Sequence, residues 1–360
     1  WYFGVNFNMQ FSISENSFLV SDCFTGYLDS TETIEFLVSN VKNPFSTKPT
    51  KPIEIAIKTA SDSLICQNEG LSIQATPGNM QGVSIEPESA TVNANTIYTF
   101  KFEPLNSVPA GGTIKITAPH EIKFENRSKR TCFYVESGVS PNAQCEVTEN
   151  KYLFVTNGFP ENYSGVVEFK VNNVVNPSTA LVTDPFTIQT SLDAEFLYFI
   201  DQDTSVAVSS TPGDLTKVLV EPFVPYAGEV TSYSFIIETS NPIPQGGVVK
   251  VSFPPEVTIE DTTQACTSPI GFEDTFKCMS TSSQVTIKEG FLSQMFLPGQ
   301  LGFTLHSVKN PPTTQESGSF SVSTLSGSYL VDQLNSVVTL EASCRANWAE
   351  ISNVCYECNP

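Results

Sequence analysis

Segments of this chain recur at an interval as long as a whole domain. Residues 34–44 (IEFLVSNVKNP), 167–177 (VEFKVNNVVNP) and 301–311 (LGFTLHSVKNP) align, which sets their Asn-Pro pairs at Asn43, Asn176 and Asn310, 133 and 134 residues apart. Residues 108–119 (VPAGGTIKITAP) align with 243–254 (IPQGGVVKVSFP), and Gly111 to Gly246 is 135 residues. Thr76-Pro77-Gly78 returns as Thr211-Pro212-Gly213, again after 135, and Cys132 and Cys145 return as Cys266 and Cys278, after 134 and 133. Independent landmarks therefore agree on a period of about 134 residues. That is a domain, several times longer than a solenoid unit. The division expected is a partial repeat one over 1–78, repeat two over 79–213, repeat three over 214–343, and a different module from 344 to 360. Only the second half of repeat one falls in this sequence, and the period places its beginning roughly 55 residues ahead of Trp1.

Each repeat reads as a string of short strands. In repeat two the pattern predicts strands over 83–86, 96–102, 112–117, 132–135, 145–147, 152–155, 166–171, 186–190 and 205–208. Alternation is clean in Tyr98-Thr99-Phe100-Lys101-Phe102 and Val167-Glu168-Phe169-Lys170-Val171. A period of two buries one face of a strand and wets the other. Gly111-Gly112, Asn157-Gly158, Asn176-Pro177 and Pro212-Gly213 supply the breaks. Evenly spaced short strands of this kind predict an all-β chain of tandem Ig-like or jelly-roll-type β-sandwiches. Thr211-Pro212-Gly213 reads as a short joint, and a short Pro-containing joint favours a stiff array.

Composition agrees. Charged residues are only 16%, Phe is abundant at 26, and no stretch carries a sustained helical apolar period. The net charge of −20 argues against a nucleic-acid partner. The acids are dispersed, as on a solvated surface. A Ca²⁺ reading of Asp201 with Asp203, or Glu260 with Asp261, lacks an ordered ligand-loop spacing. No run of apolar residues is long enough to span a membrane, and no signal peptide is visible, so the chain reads as processed or as a piece of something longer.

Nine cysteines point to an oxidising, extracellular compartment. Cys132 with Cys145 and Cys266 with Cys278 occupy matching places and are expected to be disulfides within their own repeats. Cys23 and Cys66 are paired by elimination. Cys344, Cys355 and Cys358 lie past the third repeat, where Ser343-Cys344-Arg345 replaces Thr-Pro-Gly, and are also expected in disulfides, one of them outside the chain or beyond Pro360. A zinc reading of Cys355 and Cys358 lacks a second CxxC. Asn126-Arg127-Ser128 and Asn162-Tyr163-Ser164 are sequons, so Asn126 and Asn162 are expected to carry glycans.

The IPxGGxVxVxFP pattern, followed by a Cys pair and a VxNxxNP-like strand, resembles repeats in very large extracellular surface proteins of ciliates and other protists. In such proteins β-sandwich repeats are joined to cysteine-rich furin-like or growth-factor-receptor-like modules, and residues 344–360 resemble the opening of one. The resemblance covers the repeats over 1–343 and that tail. Repeat one departs from it, because Phe11 stands near the place of Cys145.

No catalytic motif is present: no G-x-S-x-G, no H-E-x-x-H, no Walker loop. His120 and His306 are unrepeated and read as structural. Glu273-Asp274 could supply a carboxylate pair, yet neighbouring acids are expected among 38. Trp1-Tyr2-Phe3 and Trp348 could stack on sugars, with burial the competing reading. The expectation is therefore a non-enzymatic, structural extracellular protein without cofactor or metal. It would be a segment of a filament, coat or appendage assembled head-to-tail from copies of itself, with possible strand exchange at the half-repeat. An adhesin or glycan-binding protein is the alternative.

Overall fold

A computed structural model of the chain describes residues 9–14, 17–24, 26, 31, 33–125, 133–263 and 266–358. Every regular element among them is a β-strand. The chain divides into two compact units, Trp1–Asn43 and Pro44–Pro360.

In the first unit, β1 (Gln10–Ser14) and β2 (Ser17–Ser21) form an antiparallel hairpin with Gln10 opposite Ser21 and Ser14 opposite Ser17. Phe11 stacks on Phe18 with ring centroids 5.9 Å apart. Residues 34–41 carry the apolar pattern they share with 167–174 and 301–308 but form no strand, and Ile34, Phe36 and Leu37 are exposed.

The second unit begins with another hairpin, β3 (Ile53–Lys58) with β4 (Leu64–Leu71). Repeat two follows with β5 (Gly78–Asn79), β6 (Gln81–Pro87), β7 (Asn95–Glu103), β8 (Thr113–Thr117), β9 (Lys123–Phe124), β10 (Phe133–Ser137), β11 (Gln144–Thr148), β12 (Tyr152–Thr156), β13 (Val167–Val175), β14 (Thr187–Ser191) and β15 (Phe199–Asp203). One sheet runs β10-β13-β7-β6, with β9 also on β13, and the other β11-β12-β8-β14-β15-β5.

Repeat three has the same plan. Its strands are β16 (Gly213–Asp214), β17 (Lys217–Pro222), β18 (Val230–Glu238), β19 (Val248–Ser252), β20 (Thr258–Ile259), β21 (Thr267–Ile270), β22 (Lys277–Thr281), β23 (Gln284–Lys288), β24 (Gln300–Lys309), β25 (Ser321–Ser326) and β26 (Tyr329–Gln333). The sheets run β17-β18-β24-β20, with β21 on β24, and β16-β26-β25-β19-β23-β22. A last hairpin, β27 (Trp348–Ile351) and β28 (Val354–Glu357), turns through Ser352 and Asn353. Both turn residues have positive φ, 51° and 64°, the geometry of a two-residue type I′ connection.

Alternation places the cores. On β7 Tyr98, Phe100 and Phe102 face inward, and on β13 Val167, Phe169 and Val171 stand directly opposite them. Tyr233, Phe235 and Ile237 meet Leu305, Phe303 and Leu301 in the same way, and the Phe235 and Phe303 rings stack at 4.7 Å. Each such side chain, fully removed from water, contributes roughly 1.5–3 kcal/mol. Both long strands then bulge at a residue in the left-handed region, Asn173 (φ 55°) and Ser307 (φ 57°).

One strand expectation needs correction. Residues 205–208 form no ladder strand; Val206 and Val208 accept single backbone bonds from Phe186 and Thr183. The strand that follows β14 lies earlier, at Phe199–Asp203, between β14 and β5, and was hidden because a buried aspartate interrupts its apolar run.

The cysteines divide. Cys266, just ahead of β21 in one sheet, bonds Cys278 on β22 in the other, and so clamps the sandwich across its layers. Cys145 is disulfide-bonded, while Cys132, its expected partner, lies outside the described residues. Cys344 bonds Cys355. Contrary to expectation, Cys23 and Cys66 carry no disulfide, and Cys358 has no partner within this chain. Elimination supplied no geometry for Cys23 and Cys66. Cys66 faces Ile57 across its hairpin, and the Cys23 thiol sits 3.5 Å from the Val20 carbonyl. Cys358 is the odd member of a tail whose other two cysteines bond each other.

Candidate functional site

The recurrent motifs converge on the joints between modules. The Asn of each Asn-Pro is the first part. Asn176 Oδ1 accepts the Tyr98 hydroxyl at 2.6 Å, and its Nδ2 donates to the Ser89 and Thr91 carbonyls at 2.7 Å each. Asn310 repeats the arrangement with Tyr233 at 2.6 Å, Val224 at 2.8 Å and Tyr226 at 2.7 Å. Both asparagines are buried. The position needs one acceptor and two donors on one short side chain, which Asn alone offers. Burial pushes both tyrosine hydroxyls well above their ordinary pKa, so they remain donors.

This node holds the strip of chain along which each repeat exits. Val92 N–H donates to Thr211 and Thr211 N–H to Ala90; Ala227 N–H donates to Ser343 and Ser343 N–H to Pro225. The exit then enters the next repeat. Gly78 pairs in parallel with Asp201, and Gly213 with Asp332. These aspartates are fully buried and bound by an asparagine. Asp201 accepts Asn106 N at 2.9 Å and Nδ2 at 2.7 Å, and Asp332 accepts Asn241 N at 3.0 Å and Nδ2 at 2.6 Å. A Cβ on Gly78 or Gly213 would overlap that Asp–Asn pair, which explains the glycine of Thr-Pro-Gly.

The third part is a backbone contact four residues after each Asn. Thr47 N–H donates to the Phe199 carbonyl at 2.8 Å, and Ala180 N–H to the Leu330 carbonyl at 2.7 Å. Phe199 and Leu330 each lie two residues before the buried aspartate of the next repeat. Thr314 N–H donates to the Asn353 carbonyl at 2.9 Å, in the tight turn of the terminal hairpin. One position thus docks three successive modules, two sandwiches and then the cystine-linked hairpin. Lys48 over the Tyr198 ring, Asn93 bonded to Asn241, and Arg345 paired with Glu229 add to the first, second and third joints.

Other residues singled out in the sequence lie apart. Asn162 is exposed on a loop, its Oδ1 accepting Ala110 N–H at 3.0 Å; Asn126 lies outside the described residues, as do Trp1, Tyr2 and Phe3. His306 is held by both ring nitrogens, to Ser232 and Thr267 hydroxyls at 2.8 Å each. Glu273 is a loop clamp. The Ser293 backbone N–H, bonded at 2.9 Å, lowers its pKa, the opposite of what a general acid requires. Asp201 is committed to Asn106, and Asp261 to the turn at Thr263. Trp348 opens β27 and is partly exposed. Asn106, Asn241 and Asp332 were not singled out, and Asp201 was weighed only as a Ca²⁺ ligand. The spacing of the asparagines, 135, follows the period, whereas that of the aspartates, 131, departs from it and hides the pair.

No family model matches the chain and no curated protein matches it. A solved structure entitled "Crystal structure of Putative membrane anchored protein from Corynebacterium diphtheriae" is 10% identical and aligns over 88% of this chain and 97% of its own, with a TM-score of 0.21, below the level at which two chains share a fold. No helix among the described residues is long and apolar enough to cross a membrane, which leaves strands unaddressed.

Proposed function

We propose that this chain is a structural extracellular protein, a segment of a surface filament, coat or appendage of the protist surface-protein kind. The observation that carries the reading is the recurrent joint: the N–H of Thr47, Ala180 and Thr314 is spent each time on the module that follows. Fixing one module against the next is what a tension-resisting or spacing element needs. The disulfides suit an oxidising compartment, and the exposed Asn162 leaves its Nδ2 available for a glycan. The hairpins β1–β2 and β3–β4 have no third strand among the described residues. Open edges of this sort accept a strand from another chain, and copies of this protein are the partners proposed.

Negative-stain microscopy of native material tests the reading. Continuous filaments or a periodic coat are expected. Dispersed single molecules that bind a glycan array would sink it and put the chain among adhesins. Intact mass before and after glycosidase treatment checks the glycan at Asn162, and an unmodified peptide spanning that site removes it.

A further inference from the structure

Repeats two and three carry the same glutamate shortly after the Gly-Gly strand. Glu121 Oε1 accepts the Asp184 N–H at 3.2 Å, and Glu256 Oε2 accepts the Gly318 N–H, also at 3.2 Å. In both repeats the carboxylate clips the loop leading into the next strand of its sheet. Repeat two differs beside this clip in two side chains. His120 stands where repeat three has Pro255, and Asp184 where it has Gly318. Each substitution adds a group able to bind a metal ion.

His120 Nδ1 lies 3.3 Å from Glu121 Oε2 and 3.5 Å from Asp184 Oδ2. Both separations exceed the roughly 2.7–3.2 Å of an N–H···O hydrogen bond. The three ligand atoms all fall within 4.8 Å of one another. Two ligands at roughly 2.1 Å from a tetrahedral ion stand about 3.4 Å apart, so the two distances from His120 Nδ1 are those of coordination edges. Glu121 Oε2 makes an independent point. It is sealed from solvent and has no hydrogen-bond partner, a costly state for a carboxylate oxygen. A cation against it removes that deficit. The His120 and Asp184 side chains are 77% and 72% exposed, so an ion held there keeps an open side for water.

We propose that His120 Nδ1, Glu121 Oε2 and Asp184 Oδ2 form a binding site for a divalent cation of the zinc class. The imidazole selects borderline ions such as Zn²⁺ over Ca²⁺ and Mg²⁺, which prefer all-oxygen sets. The bound ion ties the turn after β8 to the loop before β14 and reinforces the Glu121 clip in repeat two alone.

The test is calorimetric titration of the whole chain with zinc sulfate. The free thiols of Cys23, Cys66 and Cys358 are first alkylated so that they cannot compete. One saturable site is expected. His120→Ala and Asp184→Gly, the latter restoring the residue of repeat three, should each weaken it at least tenfold without changing the melting temperature of the metal-free chain. Glu256→Gln should leave it unchanged. Zinc should also slow amide exchange at 183–186, and calcium chloride should not. Absence of saturable uptake, uptake that survives His120→Ala, or equal binding of calcium at this site overturns the proposal.

Discussion

The hairpin β1–β2 and its counterparts β11–β12 and β22–β23 share a register and differ in everything around them. Phe11 is 61% exposed where Cys145 is 1% exposed, and Ile13 is 81% exposed where Val147 is 8% exposed. Phe18 and its counterparts Leu153 and Val285 show the same reversal. In repeats two and three the hairpin is completed by β8 or β19, and the segment that follows by β7 or β18. Residues 34–41 have no such partner among the described residues and form no strand, although Asn40 keeps the left-handed φ (62°) of the bulge residues Asn173 and Ser307. Hairpin pairing is thus encoded locally, whereas burial and the long central strand depend on residues from the other half of the repeat.

The sharpest way to break this contrast is at the Asn-Pro nodes. Asn176→Ala or Asn310→Ala strands a buried hydroxyl and two buried carbonyls, and should cost about 4 kcal/mol in its own repeat, at 1–3 kcal/mol per orphaned group. Asn43 is exposed, and Asn43→Ala should stay within about 0.5 kcal/mol. Hydrogen exchange read repeat by repeat separates the outcomes, and a large effect at Asn43 would show that its node is also assembled. Next comes the cross-sheet cystine. Cys278→Ser should destabilise repeat three by roughly 3 kcal/mol, as expected for a loop of this size. Phe11→Ser, the matching position in repeat one, should be nearly silent. Gly213→Ala forces a methyl into the Asp332–Asn241 pair, and should cost about 2 kcal/mol as overpacking and loosen the joint before repeat three. Gly246→Ala serves as a control for backbone strain alone, because nothing lies near its added methyl.

The last effect is seen only in alkali. Burial holds the Tyr98 and Tyr233 hydroxyls protonated past their ordinary range. The unfolded chain releases these protons from about pH 10, and the folded chain retains them. Both sandwiches therefore keep this contribution below pH 10 and lose it as the pH climbs beyond. Tyrosinate absorbance should show two phenols that ionise only on unfolding; free titration of both near pH 10 would remove the node's protonated donors from the account.

Much of this was legible in the sequence because the period repeats whatever the fold requires. Gly-Gly, Thr-Pro-Gly and Asn-Pro mark a turn, a close approach and a buried polar node. The rest was hidden for physical reasons. The joint itself is a backbone contact, so nothing requires one side chain there, and Ala180 stands where the other copies have Thr47 and Thr314. The Asp201 and Asp332 strands look polar because their function is to bury a carboxylate. The same alternating pattern in 34–41 and 167–175 gave one strand and not the other, since periodicity records which face is apolar, not whether a partner covers it. Cysteine elimination failed at Cys23 and Cys66 because counting carries no distance.

The docking contact of the joint, one main-chain N–H and one carbonyl, sets a low entry requirement for whatever comes next. Any module able to offer a carbonyl at that point can be appended, as the jump from a sandwich edge to a two-residue hairpin turn after Thr314 illustrates. Genes for such arrays can gain, lose or shuffle units by recombination at the period without a new interface having to evolve each time.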